Sequence, residues 1–176
     1  MKMKAKLAIV ISIGLLQGCI WPADLSEIKD KFEDDFDSFV KLNSMIKQER
    51  WGTNCFHVAD DRVGHTRRQG IYWNSDLAFK PKIKNASIKQ VLSAANLSIE
   101  RYNTYLELLD DVDGYFIVHC HGKGVTSVPV HRNVGCVTAV KNNQDGKIPK
   151  TREEGRFYFK IAPLKAGWYI EEECYS

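Results

Sequence analysis

The tripeptide His119-Cys120-His121 has the clearest chemical potential in the sequence. Side chains alternate between the two faces of a β-strand, so the two imidazoles would project together and the thiol would point the other way. Two imidazoles can bind a transition metal, and His131 could supply a third ligand across a hairpin. The alternative, which we favour, is a solvent-facing pair of histidines with Cys120 turned inward as a disulfide partner.

No other residue stands in a motif that is typical of catalysis. A serine hydrolase usually carries its nucleophile in a Gly-x-Ser-x-Gly turn, and the chain has no such segment. A cysteine nucleophile would need a free, activated thiol, which Cys120 could supply only if it were not in a disulfide. The sequence therefore predicts no catalytic residue and no cofactor, and it favours a protein that is not an enzyme.

The first 19 residues have the organisation of an export signal. Three lysines precede an apolar run from Leu7 to Leu16, which is about half the length that a membrane-spanning helix needs. The next segment, Leu16-Gln17-Gly18-Cys19, resembles the lipobox of bacterial lipoproteins. This resemblance implies cleavage before Cys19 and acylation of its thiol. An ordinary secretory signal that carries a cysteine near its cleavage site is the alternative.

The same resemblance implies a location. In lipoproteins of bacteria with two membranes, an aspartate after the acylated cysteine favours the inner membrane, whereas this chain has Ile20. We therefore expect a lipid-anchored protein at the periplasmic face of the outer membrane. Several acyl chains on one cysteine would hold it stably, whereas a single chain gives only marginal binding.

Four cysteines remain once Cys19 is assigned to the anchor. An even number of cysteines in an exported protein indicates disulfide bonds. Spacing does not choose among the three possible pairings, and buried free thiols are the alternative. The four candidates are Cys55, Cys120, Cys136 and Cys174.

The charge of the chain points away from nucleic acid. The sequence has 25 Lys+Arg and 22 Asp+Glu, for a net charge of +3. Lys2, Lys4 and Lys6 belong to the signal, so 22 basic and 22 acidic residues remain after cleavage. A formally neutral domain has no compositional reason to bind nucleic acid. The partners that we expect are the bilayer, through acylated Cys19, and an unidentified protein.

The remaining pattern predicts a signal peptide over residues 1–18, a lipidated tether over 19–24 and a single domain over 25–176. Asp24 and Glu27 resemble a capping box, and the apolar periodicity that follows predicts a helix over 25–48. Two shorter helices are expected after Ser87 and after Ser98.

The second half of the chain reads as β-structure. Strands are expected over 115–121, 125–130, 133–140, 156–161 and 168–173, and residues 50–81 read as irregular, with short strand-like pieces at 55–58 and 70–73. Helices followed by consecutive strands predict an α+β fold, in which the N-terminal helix and the helical pair pack on one face of an antiparallel sheet ending in a meander. The acidic run Glu171–Glu173 is expected on an exposed face or a charge-protected edge, or as a site for a basic partner.

Three functions stay open at this point. The first, which we favour, is an envelope lipoprotein that binds another protein, either as an immunity protein or as an accessory factor of an envelope complex. The second is a small metal-binding protein or metal-dependent enzyme that uses His119 and His121. The third is a carrier of a small apolar ligand between helices and sheet.

Overall fold

The computed structural model describes residues 23–49, 55–60, 62–65, 70–72 and 87–175, and these residues form four α-helices and nine β-strands. Cys19 and the rest of the lipobox lie outside the described residues. The helices are α1 (Leu25–Asp34), α2 (Phe36–Gln48), α3 (Ile88–Ala94) and α4 (Ile99–Asp111). The strands are β1 (Cys55–Val58), β2 (Arg62–His65), β3 (Gly70–Tyr72), β4 (Ile117–Cys120), β5 (Val125–Asn133), β6 (Cys136–Asn143), β7 (Arg152–Glu154), β8 (Phe157–Pro163) and β9 (Trp168–Tyr175).

The described strands form one sheet in the order β3-β2-β1-β4-β5-β6-β9-β8-β7, and all of its pairings are antiparallel. The helices pack on one face of this sheet. The predicted α+β class is therefore confirmed. Among the described residues, no helix combines the length and the apolar character that crossing a membrane requires.

Local capping explains where the helices begin. The Asp24 carboxylate accepts hydrogen bonds from the backbone N–H groups of Ser26 and Glu27. Ser87 forms a complete capping box with Gln90, and the Ser98 hydroxyl accepts from the N–H of Arg101. These bonds satisfy donors that a helix N-terminus leaves without an internal partner. The three helix starts predicted from these caps are confirmed.

The helical segment predicted over residues 25–48 has these limits, but it consists of two helices, because Asp35 interrupts it. This residue has φ −106° and ψ 25°, outside the helical range, and it separates α1 from α2. Aspartate is a poor helix former, since its short polar side chain competes for nearby backbone groups. The break turns the chain so that Phe32 at the end of α1 and Phe39 in α2 meet, with ring centroids 5.2 Å apart.

Two short strands were missed by the sequence reading. β2 lies between β1 and β3, and the turn from β1 into β2 contains Asp60, where the N–H of Ala59 donates to the carbonyl oxygen of Arg62. β1 pairs with β2 on one side and with β4 on the other. β7 is an edge strand made of charged residues, which carry no apolar alternation to mark it. Charge on an edge strand discourages pairing with other chains.

The core lies between the helix layer and the covered face of the sheet. Phe32, Phe39 and Trp168 form an aromatic cluster in which the Phe32 and Trp168 ring centroids are 5.5 Å apart. Trp168 begins β9, so this cluster packs α1 and α2 against that strand of the sheet. Other fully buried members of the core are Leu42, Ile46, Phe56, Val58, Val91, Tyr105, Ile117 and Val140.

Two disulfides join directly opposed residues on adjacent strands. Cys55 in β1 pairs with Cys120 in β4, and Cys136 in β6 pairs with Cys174 in β9. The bridged residues are 65 and 38 positions apart in the chain. Closing loops of these lengths contributes about 4 kcal/mol each in the chain-entropy model. The expected disulfides are present, and their pairing is one of the three that spacing left open.

Adjacent residues of α2 provide a test of the core. Phe39 is 1% exposed, whereas Val40 beside it is 40% exposed. Phe39→Ala should lower the free energy of unfolding by about 3–5 kcal/mol, because it leaves a cavity in the aromatic cluster. Val40→Ala should change it by less than about 0.5 kcal/mol. Urea denaturation of both variants measures this, and equal effects would contradict the packing described here.

Candidate functional site

The two histidines of the tripeptide lie together, but not as a solvent-facing pair on one strand. β4 ends at Cys120, and His121 begins a short 3-10 turn over His121–Lys123. The two imidazole centroids are 4.6 Å apart and the rings are perpendicular. His119 is only 2% exposed, so the expectation that it faces solvent is wrong.

His131 does not join this pair. It lies on β5 five residues beyond Thr126, the cross-strand partner of His119, which corresponds to about 17 Å along a strand. Cys120 is bridged to Cys55 and offers no thiolate. In the part of the chain that the structure describes, no three or more His, Cys, Asp or Glu side chains are grouped so that they could hold a metal ion.

His119 instead begins a chain of hydrogen bonds between α2 and the sheet. Its Nδ1 lies 2.9 Å from the Thr126 hydroxyl, which donates to Asn43 Oδ1 at 2.6 Å. Because the hydroxyl hydrogen is used toward Asn43, Nδ1 of His119 must carry the proton of the first bond. Asn43 Nδ2 then donates to Asn142 Oδ1 at 3.1 Å, and Lys47 Nζ donates to the same oxygen at 3.0 Å.

Burial controls the protonation of this network. Burial lowers the pKa of His119 to about 4, with the charges of His121 and Lys47 acting in the same direction. Burial also lowers the pKa of the Lys47 ammonium. Each group in the network is already engaged with a neighbour, and the network joins α2 to β4, β5 and β6. It therefore fits a role in fixing the helix on the sheet.

A second set of polar contacts holds the C-terminal end of α2. Nε2 of His121 lies 2.8 Å from the backbone oxygen of Glu49. The Glu49 carboxylate accepts hydrogen bonds from Nε of Arg101 and from the Tyr105 hydroxyl, both on α4. Burial raises the pKa of Tyr105, followed by the effect of the Glu49 charge. Both histidines of the tripeptide thus contact residues that position α2.

The sheet face opposite the helices has an unusual composition. Asn142 and Val140 face α2, so alternation along β6 turns Val137, Ala139 and Lys141 to the other side. We call this side the open face. An antiparallel sheet face that meets water is normally polar, whereas this one is largely apolar. Its apolar and aromatic members are Phe116, Val118, Val125, Pro129, Val137, Ala139, Phe157, Phe159, Ile161, Tyr169 and Tyr175. Pro129, Ala139, Phe159 and Tyr169 are buried by their neighbours, whereas Phe157 and Tyr175 are exposed.

A long hollow runs along the open face. It consists of two parts of about 400 and 670 Å³, which share Val118, Ser127, Lys141 and Glu171 on their lining. The first part reaches Phe157 and Tyr175 at one end of the sheet. Since the two parts share their central lining, they form one continuous surface across β4, β5, β6 and β9.

The centre of the hollow holds an ionic cluster. Glu171 pairs with Lys141, and its second carboxylate oxygen lies 3.5 Å from a guanidinium nitrogen of Arg152. The Arg152 guanidinium also sits 4.1 Å from the ring centroid of Phe159. Burial, followed by the charge of Glu171, raises the pKa of Tyr169 to about 12.

The expectation for the acidic run Glu171–Glu173 is corrected by the position of β9. This strand lies between β6 and β8 rather than at an edge, and Glu171 and Glu172 are buried. Glu172 alternates onto the helix side of the sheet, whereas Glu171 and Glu173 lie on the open face. Among the three, Glu173 is the exposed carboxylate.

An exposed aromatic pair closes one end of the open face. Phe157 is 41% exposed and Tyr175 is 53% exposed, and their ring centroids are 5.4 Å apart in an edge-to-face arrangement. Arg156 donates a hydrogen bond of 2.9 Å to the Tyr175 hydroxyl. The sequence reading did not single out these residues, although apolar alternation along β8 was the signal that could have found them.

No protein-family model, curated protein or solved structure matches the chain. The function of the chain is therefore inferred from the surfaces of the fold.

The buried imidazole of His119 predicts a specific pH dependence. The pKa of His119 is near 6.5 in the unfolded chain and about 4 in the folded one, so between these values the unfolded state binds more protons. Its contribution to stability is present above pH 6.5 and is lost as the pH falls toward 4. Between pH 7 and 4, wild type should lose about 3 kcal/mol more stability than His119→Gln. Urea denaturation across this range measures the difference, and parallel curves would refute it.

Proposed function

We propose that this chain is a lipid-anchored protein of the bacterial cell envelope that acts by binding another protein through its open face. The observation that carries the proposal is the apolar composition of a sheet face that no described helix covers. Exposed Phe157 and Tyr175 stand at one end of that face. An apolar sheet face with exposed aromatic side chains at its end is the kind of surface that marks a site of association.

The envelope address is supported by the N-terminal sequence. Leu16, Gly18 and Cys19 match the lipobox pattern, and Ile20 after the cysteine favours the outer membrane. The two disulfides agree with an oxidising compartment such as the periplasm. The acylated cysteine would hold the domain at the membrane, where a partner could meet the open face.

The shape of the open face favours a protein over a small ligand. The hollow is long and shallow, and it crosses four strands instead of closing into a chamber. Tyrosine and arginine are enriched among the residues that dominate the energetics of protein interfaces, and phenylalanine buries a large apolar area there. Phe157, Tyr175 and Arg156 present such a combination at one end of the hollow.

The charges of the face favour a defined orientation of the partner. Glu171 is already paired with Lys141 and Arg152, so a docking protein would not leave its charge unpaired. Arg132 and Glu173 line the aromatic part of the hollow and carry opposite charges. Opposite charges beside an apolar centre select a partner with the complementary arrangement and fix its register.

Two forms of this function follow from the same geometry. An immunity protein would use the open face to bind and block a toxin that reaches the periplasm. An accessory factor would bind a resident subunit of an envelope complex. Deletion separates the two, because loss of an immunity protein sensitises the cell to one imported toxin, whereas loss of an accessory factor impairs the complex itself.

The anchor is tested by metabolic labelling. Cells given a tagged palmitate should incorporate it into the wild-type chain and not into Cys19→Ala, because the lipobox thiol is the acceptor. The double variant Cys55→Ala/Cys120→Ala is the matched control and should keep the label, since it removes two thiols elsewhere. Undiminished labelling of Cys19→Ala would refute the anchor.

The binding face is tested by site-specific photo-crosslinking in living cells. A photoreactive phenylalanine analogue at position 157 or 175 should give one dominant crosslinked protein. The same analogue at Ile99 on α4, which is 42% exposed, is the control for an equally exposed apolar position outside the open face. Equal crosslinking from all three positions would contradict the assignment of the face.

The purified partner then allows the affinity to be measured. Phe157→Ala and Tyr175→Ala should each raise Kd by tenfold or more, since aromatic anchors that an interface buries can contribute about 2 kcal/mol or more. Ile99→Ala should change Kd by less than about twofold, as expected for a residue outside the interface. Unchanged affinity in both aromatic variants, with their folds intact, would overturn the proposed surface.

A further inference from the structure

A separate cavity lies between α1 and the side of the sheet that the helices cover. Its volume is about 410 Å³, and it is bounded by α1, α2, β5 and the residues that follow α4. This size is within the range of sites that hold a small organic molecule. Its lining residues are Asp24, Glu27, Ile28, Lys31, Phe39, Val112, Asp113, Val130 and His131.

The interior of the cavity combines apolar walls with one unused polar atom. Phe39 and Val112 are at most 1% exposed. Ile28 and Val130 are half-buried and complete the apolar walls. Nε2 of His131 is buried and has no hydrogen-bond partner among the described residues. Because a buried polar atom without a partner is unfavourable, the cavity favours an occupant that has an apolar body and bonds to this nitrogen.

The rim of the cavity carries an excess of negative charge. Asp24, Glu27 and Asp113 are exposed carboxylates on the lining. Lys31 is the one lysine or arginine among the described lining residues, and it is already paired. Its ammonium lies 3.0 Å from the carboxylate of Asp35 and 3.2 Å from that of Asp113. The carboxylates of Asp24 and Glu27 form no ion pair within the described ranges, so the rim favours a cation.

We propose that this cavity binds a small amine, a molecule with an aromatic or aliphatic body and one primary ammonium group. The apolar body would lie against Phe39 and Val112, where burial removes it from water. A neutral imidazole whose proton is on Nδ1 presents Nε2 as an acceptor, and an ammonium has three N–H donors. One of them would satisfy His131, and the others would point to the carboxylates of the rim.

Other classes of small ligand fit this cavity less well. A carboxylate would face Asp24 and Glu27, and the ammonium of Lys31 is already held by two aspartates. A purely apolar molecule would leave Nε2 of His131 without a partner. Among the described residues, the cavity shares no lining residue with the hollow of the open face. An amine could therefore bind while a partner protein covers that face.

Nuclear magnetic resonance of the ¹⁵N-labelled full chain in a non-ionic detergent tests the site. The probes are phenylbutylamine and phenylbutyrate, which share one apolar body and carry opposite charges. The amine should shift the backbone amide resonances of Val112 and His131 saturably. The acid should bind at least about tenfold more weakly, because the carboxylates that attract an ammonium repel it.

Two carboxylates on α1 provide a matched pair of variants. Glu27→Gln should raise the Kd of the amine about two- to fivefold, as expected for an exposed charge at the rim. Glu33→Gln should change it by less than about 1.5-fold, since this carboxylate is outside the lining and solvent screens it. Both side chains are exposed, so neither substitution disturbs the core.

Filling the cavity supplies a second readout. Ile28→Trp should abolish the saturable shifts, because the larger side chain occupies the space between the walls. The absence of saturable shifts in the folded wild type up to about 10 mM amine would overturn the proposal. Equal affinity for the amine and the acid, or equal effects of Glu27→Gln and Glu33→Gln, would also overturn it. These readouts involve neither palmitate labelling nor the open face, so this proposal can fail while the proposed function stands.

Discussion

The packing of α2 against the centre of the sheet is the contact on which the rest of the structure depends. At its N-terminal end, Phe39 joins Phe32 and Trp168 in an aromatic cluster. Toward its C-terminal end, Asn43 and Lys47 bond to Asn142 in β6. Apolar contact supplies most of the free energy, since hydrogen bonds contribute modestly in net terms, but the polar network specifies one position of the helix. The covered face and the open face of the sheet are defined by this single arrangement.

This packing explains why His119, Cys120 and His121, the strongest candidates for chemistry in the sequence, hold the fold together instead. The network needs an N–H donor facing the Thr126 hydroxyl, and a neutral His119 supplies it. His121 meets the backbone of Glu49 where α2 ends, and Cys120 is bridged to β1. Two neighbouring imidazoles therefore do not indicate a metal site by themselves. Where a helix packs over polar strand residues, the buried polar groups need hydrogen-bond partners, and histidine can be one of them.

Features that depend on local chemistry could be predicted from the sequence. The caps at Asp24, Ser87 and Ser98 act within four residues, and each marks a helix start correctly. Features that depend on contacts between distant parts of the chain could not be predicted from the sequence. The break at Asp35 accompanies the packing of Phe32 and Phe39 against Trp168, which lies far along the chain, and Cys55 lies opposite Cys120 only because β1 pairs with β4. The open face was invisible for the same reason, since the side on which Val137 or Phe157 lies is fixed only once the register of the strands is known.

The central claim is that the open face is covered by a partner in the envelope. Hydroxyl-radical footprinting of intact membranes, compared with the purified protein, tests it most directly with a matched pair of tyrosines. Tyr175 at the end of the open face and Tyr115 just before β4 are each 53% exposed. We expect oxidation of Tyr175 to fall severalfold in membranes while that of Tyr115 is unchanged. Equal oxidation of Tyr175 in both preparations would contradict the account.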